Sequence, residues 1–228
     1  MISENVRAVR DNIARAAERA GRNPEEIRIV AAAKGQGTEK ITEAVAAGIS
    51  IIGHNYLQEA AAGLESMKAP GVTYHMIGHL QRNKASKAFD LFDVIETVDD
   101  ARLADALSRR AHAQSKVLGV MIQANLSGES QKSGIPADEV QRLAEYVRGL
   151  PAIRLMGLMT MPPFFDEPER ARPFFARLRE LREKLMSSGV LCADMNELSM
   201  GMTGDYEVAV EEGATLVRIG TALFGSRY

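Results

Sequence analysis

Cysteine is nearly absent: Cys192 is the only one in 228 residues. A single thiol allows neither an intrachain disulfide nor a cysteine-built zinc cluster, and such usage belongs to a reducing compartment. Neither sign of charge dominates, since 28 basic residues face 30 acidic ones for a net charge of -2. That balance argues against nucleic acid or another polyanion as partner. No apolar run reaches the roughly 20 residues of a membrane-spanning helix, and the stretch from Met1 to Arg7 lacks the apolar core of a signal peptide. The expected location is the cytoplasm. Linkers, low-complexity segments and short-period repeats are also missing. One domain over residues 1–228 is expected, with 46% hydrophobic residues to build its core.

What is present is organised around Ile27 to Lys34, a β-branched apolar run that shrinks to three alanines and stops at a lysine followed by Gly35, Gln36 and Gly37. It reads as a buried strand that delivers an amine to the rim of a core, with room left beside it by the alanines. A partly desolvated amine at such a rim is suited to Schiff-base chemistry with a carbonyl compound.

Around this strand the chain alternates. Ile2, Val6, Val9, Ile13 and Ala17 form the stripe of an amphipathic N-terminal helix. Further strands are predicted at Ile49–Gly53, Thr73–Ile77, Val94–Val98, Lys116–Ala124, Ile153–Met159, Glu197–Met200 and Leu216–Ile219. Helices are predicted between them: from an N-cap at Thr38 to Gly48, Asn55–Met67, Arg82–Phe89, from a cap at Asp99 to Ala113, Ala137–Arg148, Glu169–Ser187 and about Asp205–Glu212. The strands are apolar along nearly their full length, as parallel strands buried on both faces are. Eight β/α units in one domain predict an α/β fold, a single (β/α)8 TIM barrel with an additional N-terminal helix. The rival, a doubly wound dinucleotide-binding sheet, needs a third glycine that the turn Lys34-Gly35-Gln36-Gly37 lacks.

Chemistry in such barrels gathers at the C-terminal ends of strands. Those ends carry Lys34; His54, Asn55 and Tyr56; His75, Gly78 and His79; Met159; the turn Ser199-Met200-Gly201-Met202-Thr203-Gly204-Asp205; and Arg218-Ile219-Gly220-Thr221. The last two segments offer glycine-flanked amides, the kind of loop in which this fold holds phosphate. Together with Lys34 they favour a phosphorylated carbonyl ligand. Arg218 on its buried strand is either an internal ion-pair partner or a donor to a ring nitrogen or phosphate oxygen. His75 and His79 have Gly78 between them at a strand end, so they form no helical two-histidine metal face, and no metal is expected.

These segments together resemble the pyridoxal-phosphate homeostasis proteins, the YggS/PROSC family, whose barrel is similar to the N-terminal barrel of alanine racemase. The resemblance rests on Ala32-Ala33-Lys34, on Gly53 to Glu59, on Tyr74 to Lys84, on Asn125 to Glu129 with Lys132 and Gly134, on Gly157-Leu158-Met159, on Leu198 to Met202, and on Val217 to Thr221 with Phe224-Gly225. It implies that Lys34 forms an internal aldimine with pyridoxal 5'-phosphate. It also implies that Ser199, Gly201, Gly220 and Thr221, with adjacent amides including that of Met200, hold the phosphate. Arg218 would face the pyridine nitrogen, weakening the cofactor as an electron sink. Asn55, His75 and Met159 would line the ring. Ala33 and Gly35 stand where the family pattern has hydroxyl residues, and His54 where it has Glu.

The function that the resemblance implies is binding and buffering of the cofactor, with transient contact to apo-enzymes and no turnover. Barrels that racemise amino acids need a second acid/base group from a further domain, whereas this sequence ends a few residues after the eighth predicted strand. The alternatives are a cofactor-dependent amino-acid racemase or decarboxylase and a Schiff-base aldolase acting on a sugar phosphate.

Overall fold

The computed structural model describes residues 1–61, 69–129 and 131–225. Its strands are β1 (Arg28–Ala32), β2 (Ile51–His54), β3 (Thr73–Met76), β4 (Val94–Val98), β5 (Leu118–Asn125), β6 (Ile135–Pro136), β7 (Ile153–Thr160), β8 (Glu197–Met202) and β9 (Leu216–Ile219). Parallel pairing runs β4-β3-β2-β1-β9-β8-β7-β5, and a further β4–β5 ladder closes the ring. The result is the expected eight-stranded TIM barrel, with the two-residue β6 as a side pair on β5.

Helices cover the outside: α1 (Ile2–Arg19), α2 (Thr38–Ala46), α3 (Ala85–Leu91), α4 (Ala101–Ala113), α5 (Val140–Arg148), α6 (Arg172–Ser187), α7 (Tyr206–Glu211) and α8 (Thr221–Phe224). Residues 57–61 are helical; the remainder of the helix predicted up to Met67 lies outside the described residues. Because α8 has only one turn, it leaves the seam between β9 and β1 with little cover. The N-terminal helix supplies it, packing on α2, α7 and α8 with Ile2, Val6, Val9 and Ile13 buried. Each such side chain contributes roughly 1.5–3 kcal/mol on burial.

Strand alternation sorts the side chains. Val30, Ile51, Ile77, Met121, Met159 and Leu216 fill the barrel interior. Their neighbours Ile29, Ala31, Ile52, Leu198, Met200, Val217 and Ile219 join the larger core beneath the helices. At the C-terminal ends of β1 and β9 the small residues Ala32 and Gly220 line an open space, whereas the position beside Gly53 is filled by Val30 and Ile77.

Two caps differ from expectation. Gly37 is the N-cap of α2, with Thr38 already helical. At α4 the cap is Asp100, whose carboxylate accepts from the Leu103 amide at 2.9 Å, while Asp99 accepts from the Gly134 amide at 3.1 Å. Adjacent carboxylates cannot be told apart by type alone; which one caps depends on where β4 ends.

One glycine is required by strand proximity. A Cβ on Gly157 would lie 2.0 Å from the Glu197 carbonyl oxygen, at the start of the β7–β8 ladder. Gly21 also has a positive φ, +65°, but nothing lies within 4 Å of its Cβ position. Gly157→Ala is expected to cost at least about 3 kcal/mol or to prevent folding, against about 1 kcal/mol for Gly21→Ala. Urea denaturation of the two variants checks this; equal losses would remove the clash as the cause.

Candidate functional site

The open end of the barrel is a cavity of about 310 Å³, at the small end of the about 300–1,000 Å³ usual for small-ligand sites. Its walls include Ala32, Asn55, Phe164, Thr203, Arg218 and Gly220. A larger cavity, about 510 Å³, lies at the other end, where Arg10 of α1 meets Arg28 and Gly48. It sits at the N-terminal ends of the strands, the face that serves stability in this fold rather than chemistry.

Arg218, on β9, reaches the cavity from below. It is 4% exposed. One guanidinium nitrogen donates to Ser199 Oγ at 2.7 Å and the other to the Thr160 carbonyl at 2.9 Å. The Ser199 hydroxyl donates to Glu96 Oε2 at 2.5 Å, and Glu96 Oε1 lies 2.6 Å from His75 Nδ1. A hydrogen-bonded chain therefore crosses the barrel interior from β3 through β4 and β8 to β9. Burial pushes the Glu96 carboxyl up; the His75 hydrogen bond and charge, the Arg218 charge and the Ser199 hydrogen bond outweigh it, leaving Glu96 below the ordinary carboxylate range. Burial lowers the Arg218 guanidinium, and Glu96 and Asp205 oppose that shift.

Glu96 was not among the candidates. The available signal was a lone carboxylate in the middle of the otherwise uncharged strand Val94-Ile95-Glu96-Thr97-Val98, which on a strand buried on both faces must have a partner.

The upper wall is built from amides. Thr203, just beyond β8, turns its Oγ1 toward the N–H groups of Gly220 and Ala222, at 3.3 and 3.4 Å. Two amides from the end of β9 thus converge on one oxygen. Thr203 is a second residue absent from the candidates, although it lies in the turn that drew attention.

Nine of the ten candidate residues fall into three groups, and Lys34 stands apart from them. Asn55, Arg218, Gly220 and Thr221 line the one cavity. His75, Met159 and Ser199 are buried beneath it: His75 and Ser199 belong to the Glu96 chain, and Met159 packs in the barrel interior. Met200 points outward into the core under the helices. Gly201 adopts φ +89°, and a Cβ there would lie 2.5 Å from Ala209 Cβ, so its need for glycine comes from the packing of α7.

Lys34 stands two residues past the end of β1, half-buried, with Nζ 4.9 Å from the centroid of the Tyr56 ring. The expected strand ran up to Lys34. Instead the chain turns at Gly35 with φ +67°, and the Gly35 amide donates to Glu59 at 3.2 Å. Among the described residues no carboxylate lies within ion-pair distance of the Lys34 amine. The alanine that leaves room is Ala32, which lines the cavity, whereas Ala31 and Ala33 face the helices. His75 and His79 go to different carboxylates, Glu96 at 2.6 Å and Asp99 at 3.7 Å.

A closed parallel barrel with an amine just past its first strand, and amides and a guanidinium at its last, has a family counterpart. The family described as alanine racemase, N-terminal domain, matches residues 5–228. Among curated relatives, the pyridoxal phosphate homeostasis protein of Aquifex aeolicus is 39% identical over 98% of this chain and 97% of its own length. That of Escherichia coli K12 is 40% identical over 99% and 97%. The solved structure of PipY of Synechococcus elongatus with PLP bound superposes with a TM-score of 0.86 at 31% identity, covering 99% of this chain and 100% of PipY. The chain belongs to the pyridoxal phosphate homeostasis proteins within the alanine racemase N-terminal domain family. Alanine racemase of Clostridium difficile, 16% identical with a TM-score of 0.73, covers 98% of this chain but only 56% of its own; at that distance it shares the fold alone.

Among the described residues His54 has no hydrogen-bond partner for either ring nitrogen. It is 2% exposed and tilted against Phe92 at 6.1 Å. Burial lowers its pKa from 6.5, opposed by the charge of Glu59. The sign follows directly: as pH falls through about 6.5 the unfolded chain takes up a proton that the folded ring refuses, so stability is lost there and is intact above. In His54→Leu the urea midpoint is expected to fall less between pH 7 and pH 5 than in the wild type. Parallel curves would show that His54 takes no part.

Proposed function

We propose that this chain is a single-domain pyridoxal 5'-phosphate carrier, over residues 1–228, that binds and buffers the cofactor in the cytoplasm and passes it to apo-enzymes without turnover. The observation that carries this reading is one cavity with Lys34 just outside its lining residues. Arg218 and the converging Gly220 and Thr221 segment line the same cavity as Ala32, and Lys34 follows Ala32 by two residues. When bound, pyridoxal phosphate supplies an electrophilic aldehyde at one end of its ring and a dianionic phosphate at the other. The donor set fits that polarity.

Lys34 holds the aldehyde end covalently through its amine. At the other end the Gly220 and Ala222 amides, now sharing the Thr203 hydroxyl at more than 3.2 Å, have capacity for a stronger anionic acceptor. Asn55 and Arg218 line the space that would take the ring, and a guanidinium near the ring nitrogen would disfavour its protonation. His75, Met159 and Ser199 support the floor, and Met200 and Gly201 fix the course of β8 toward the amides. Among the described residues the titratable side chains lining the cavity are Arg218 and Asp205, and one Asp205 oxygen already accepts the Met202 amide at 2.6 Å. This arrangement supports retention of a ligand over proton transfer to and from a substrate, in keeping with relatives named as homeostasis proteins.

Protein incubated with pyridoxal phosphate is expected to gain a visible-range chromophore that borohydride fixes to the peptide carrying Lys34. In Lys34→Ala the reducible adduct disappears while the fold remains. An unchanged adduct in that variant would remove Lys34 from its role, and α-proton exchange of added amino acids at enzymatic rates would replace the carrier by a racemase-like enzyme. At Gly220 a Cβ would meet Ala32 at 3.6–3.8 Å, so Gly220→Ala is tolerated. The larger Gly220→Val fills the space beside the amides and weakens pyridoxal phosphate roughly tenfold relative to pyridoxal, measured by direct titration.

A further inference from the structure

Glu96 touches no part of the cavity surface, yet it holds Ser199, which in turn holds Arg218 at that surface. Both its oxygens are engaged, one by His75 Nδ1 and one by Ser199 Oγ, and its side chain is fully buried. The direction of the bonds is fixed by valence. A carboxylate only accepts, so the single hydroxyl proton of Ser199 goes to Glu96, and the Ser199 lone pairs are left facing Arg218. Arg218 then has one nitrogen on Ser199 and one on the Thr160 carbonyl, which leaves its guanidinium plane a single orientation at the cavity floor. Thr160 is itself tied down, its hydroxyl donating to the Ala124 carbonyl at 2.9 Å.

We propose that Glu96 is the positioning residue of this site: through Ser199 it orients Arg218 at the cavity floor and offsets its charge, and so sets how strongly the site prefers a phosphorylated ligand over its neutral counterpart. The proposal rests on the carrier reading for its ligand, but the orientation of Arg218 is a property of the protein alone. Geometry and charge are separable. Glu96→Gln keeps an acceptor for the Ser199 hydroxyl and removes the negative charge. Ser199→Ala keeps the charge and removes the link.

Two measurements test this. In protein without added ligand, hydrogen exchange of the Arg218 guanidinium, followed by NMR, is expected to be slow in the wild type and to speed up about tenfold in Ser199→Ala. In titrations with pyridoxal phosphate and with pyridoxal, Glu96→Gln is expected to shift the preference toward the phosphate ester by about fivefold, because a buried negative charge beneath the cavity no longer offsets Arg218. Ser199→Ala is expected to weaken both ligands. Unchanged exchange in Ser199→Ala, or an unchanged ligand ratio in Glu96→Gln, overturns the role of Glu96. If the wild type binds neither ligand, the carrier reading fails and the exchange measurement alone decides the orientation claim. If Glu96→Gln does not fold, Ser199→Ala decides it through the same exchange and the loss of both ligands.

Discussion

Glu96 and Arg218 place opposite charges inside a barrel whose apolar filling is valine, isoleucine, leucine and methionine. Desolvating two ions costs several kcal/mol each, and their attraction offsets this only when the remaining hydrogen-bonding capacity is filled. Here His75, Ser199 and the Thr160 carbonyl fill it. Removing one member of such a group typically costs about 3–5 kcal/mol, so the band acts as a unit. It also sets the level at which the packed interior stops and the cavity begins, since Arg218 belongs to both.

Above that level the strands end in small residues. Ala32 and, beside it, Gly220 leave volume where β-branched side chains would close the barrel. The site is therefore a difference in side-chain size along the same strands, apolar and bulky below, small and polar above. Its active groups come from chain segments far apart in sequence, Lys34 near one end and Arg218 near the other, joined because β1 and β9 are neighbours.

Much of this was legible in the residues. Largely apolar runs of four to nine residues, separated by helical stripes, specify parallel strands almost regardless of detail, and all eight barrel strands were found with ends shifted by two residues or fewer. Lys34 could be located because a charge after an apolar run is conspicuous. Glu96 could not, because one acidic residue inside a strand gives no indication of what it meets across a barrel, and its partners are 21 and 103 positions away. The same holds for Ser199: its strand position was evident, but that its hydroxyl lies below the cavity depends on the shear of the sheet. Thr203 escaped because glycines in the same turn drew the phosphate reading, although a hydroxyl can hold the amides as well.

The N-terminal helix covers the seam that the one-turn α8 leaves open, and β1 reaches its second barrel neighbour only in β9. On a ribosome, residues 2–19 and the strand after them emerge long before residues 206–224 do. The first helix must wait, with its buried stripe of Ile2, Val6, Val9 and Ile13 exposed to the cell, until residues 206–224 have been made. Ring closure is thus a late, long-range event, and the interval before it is when this protein depends most on chaperones to shield its apolar stripe.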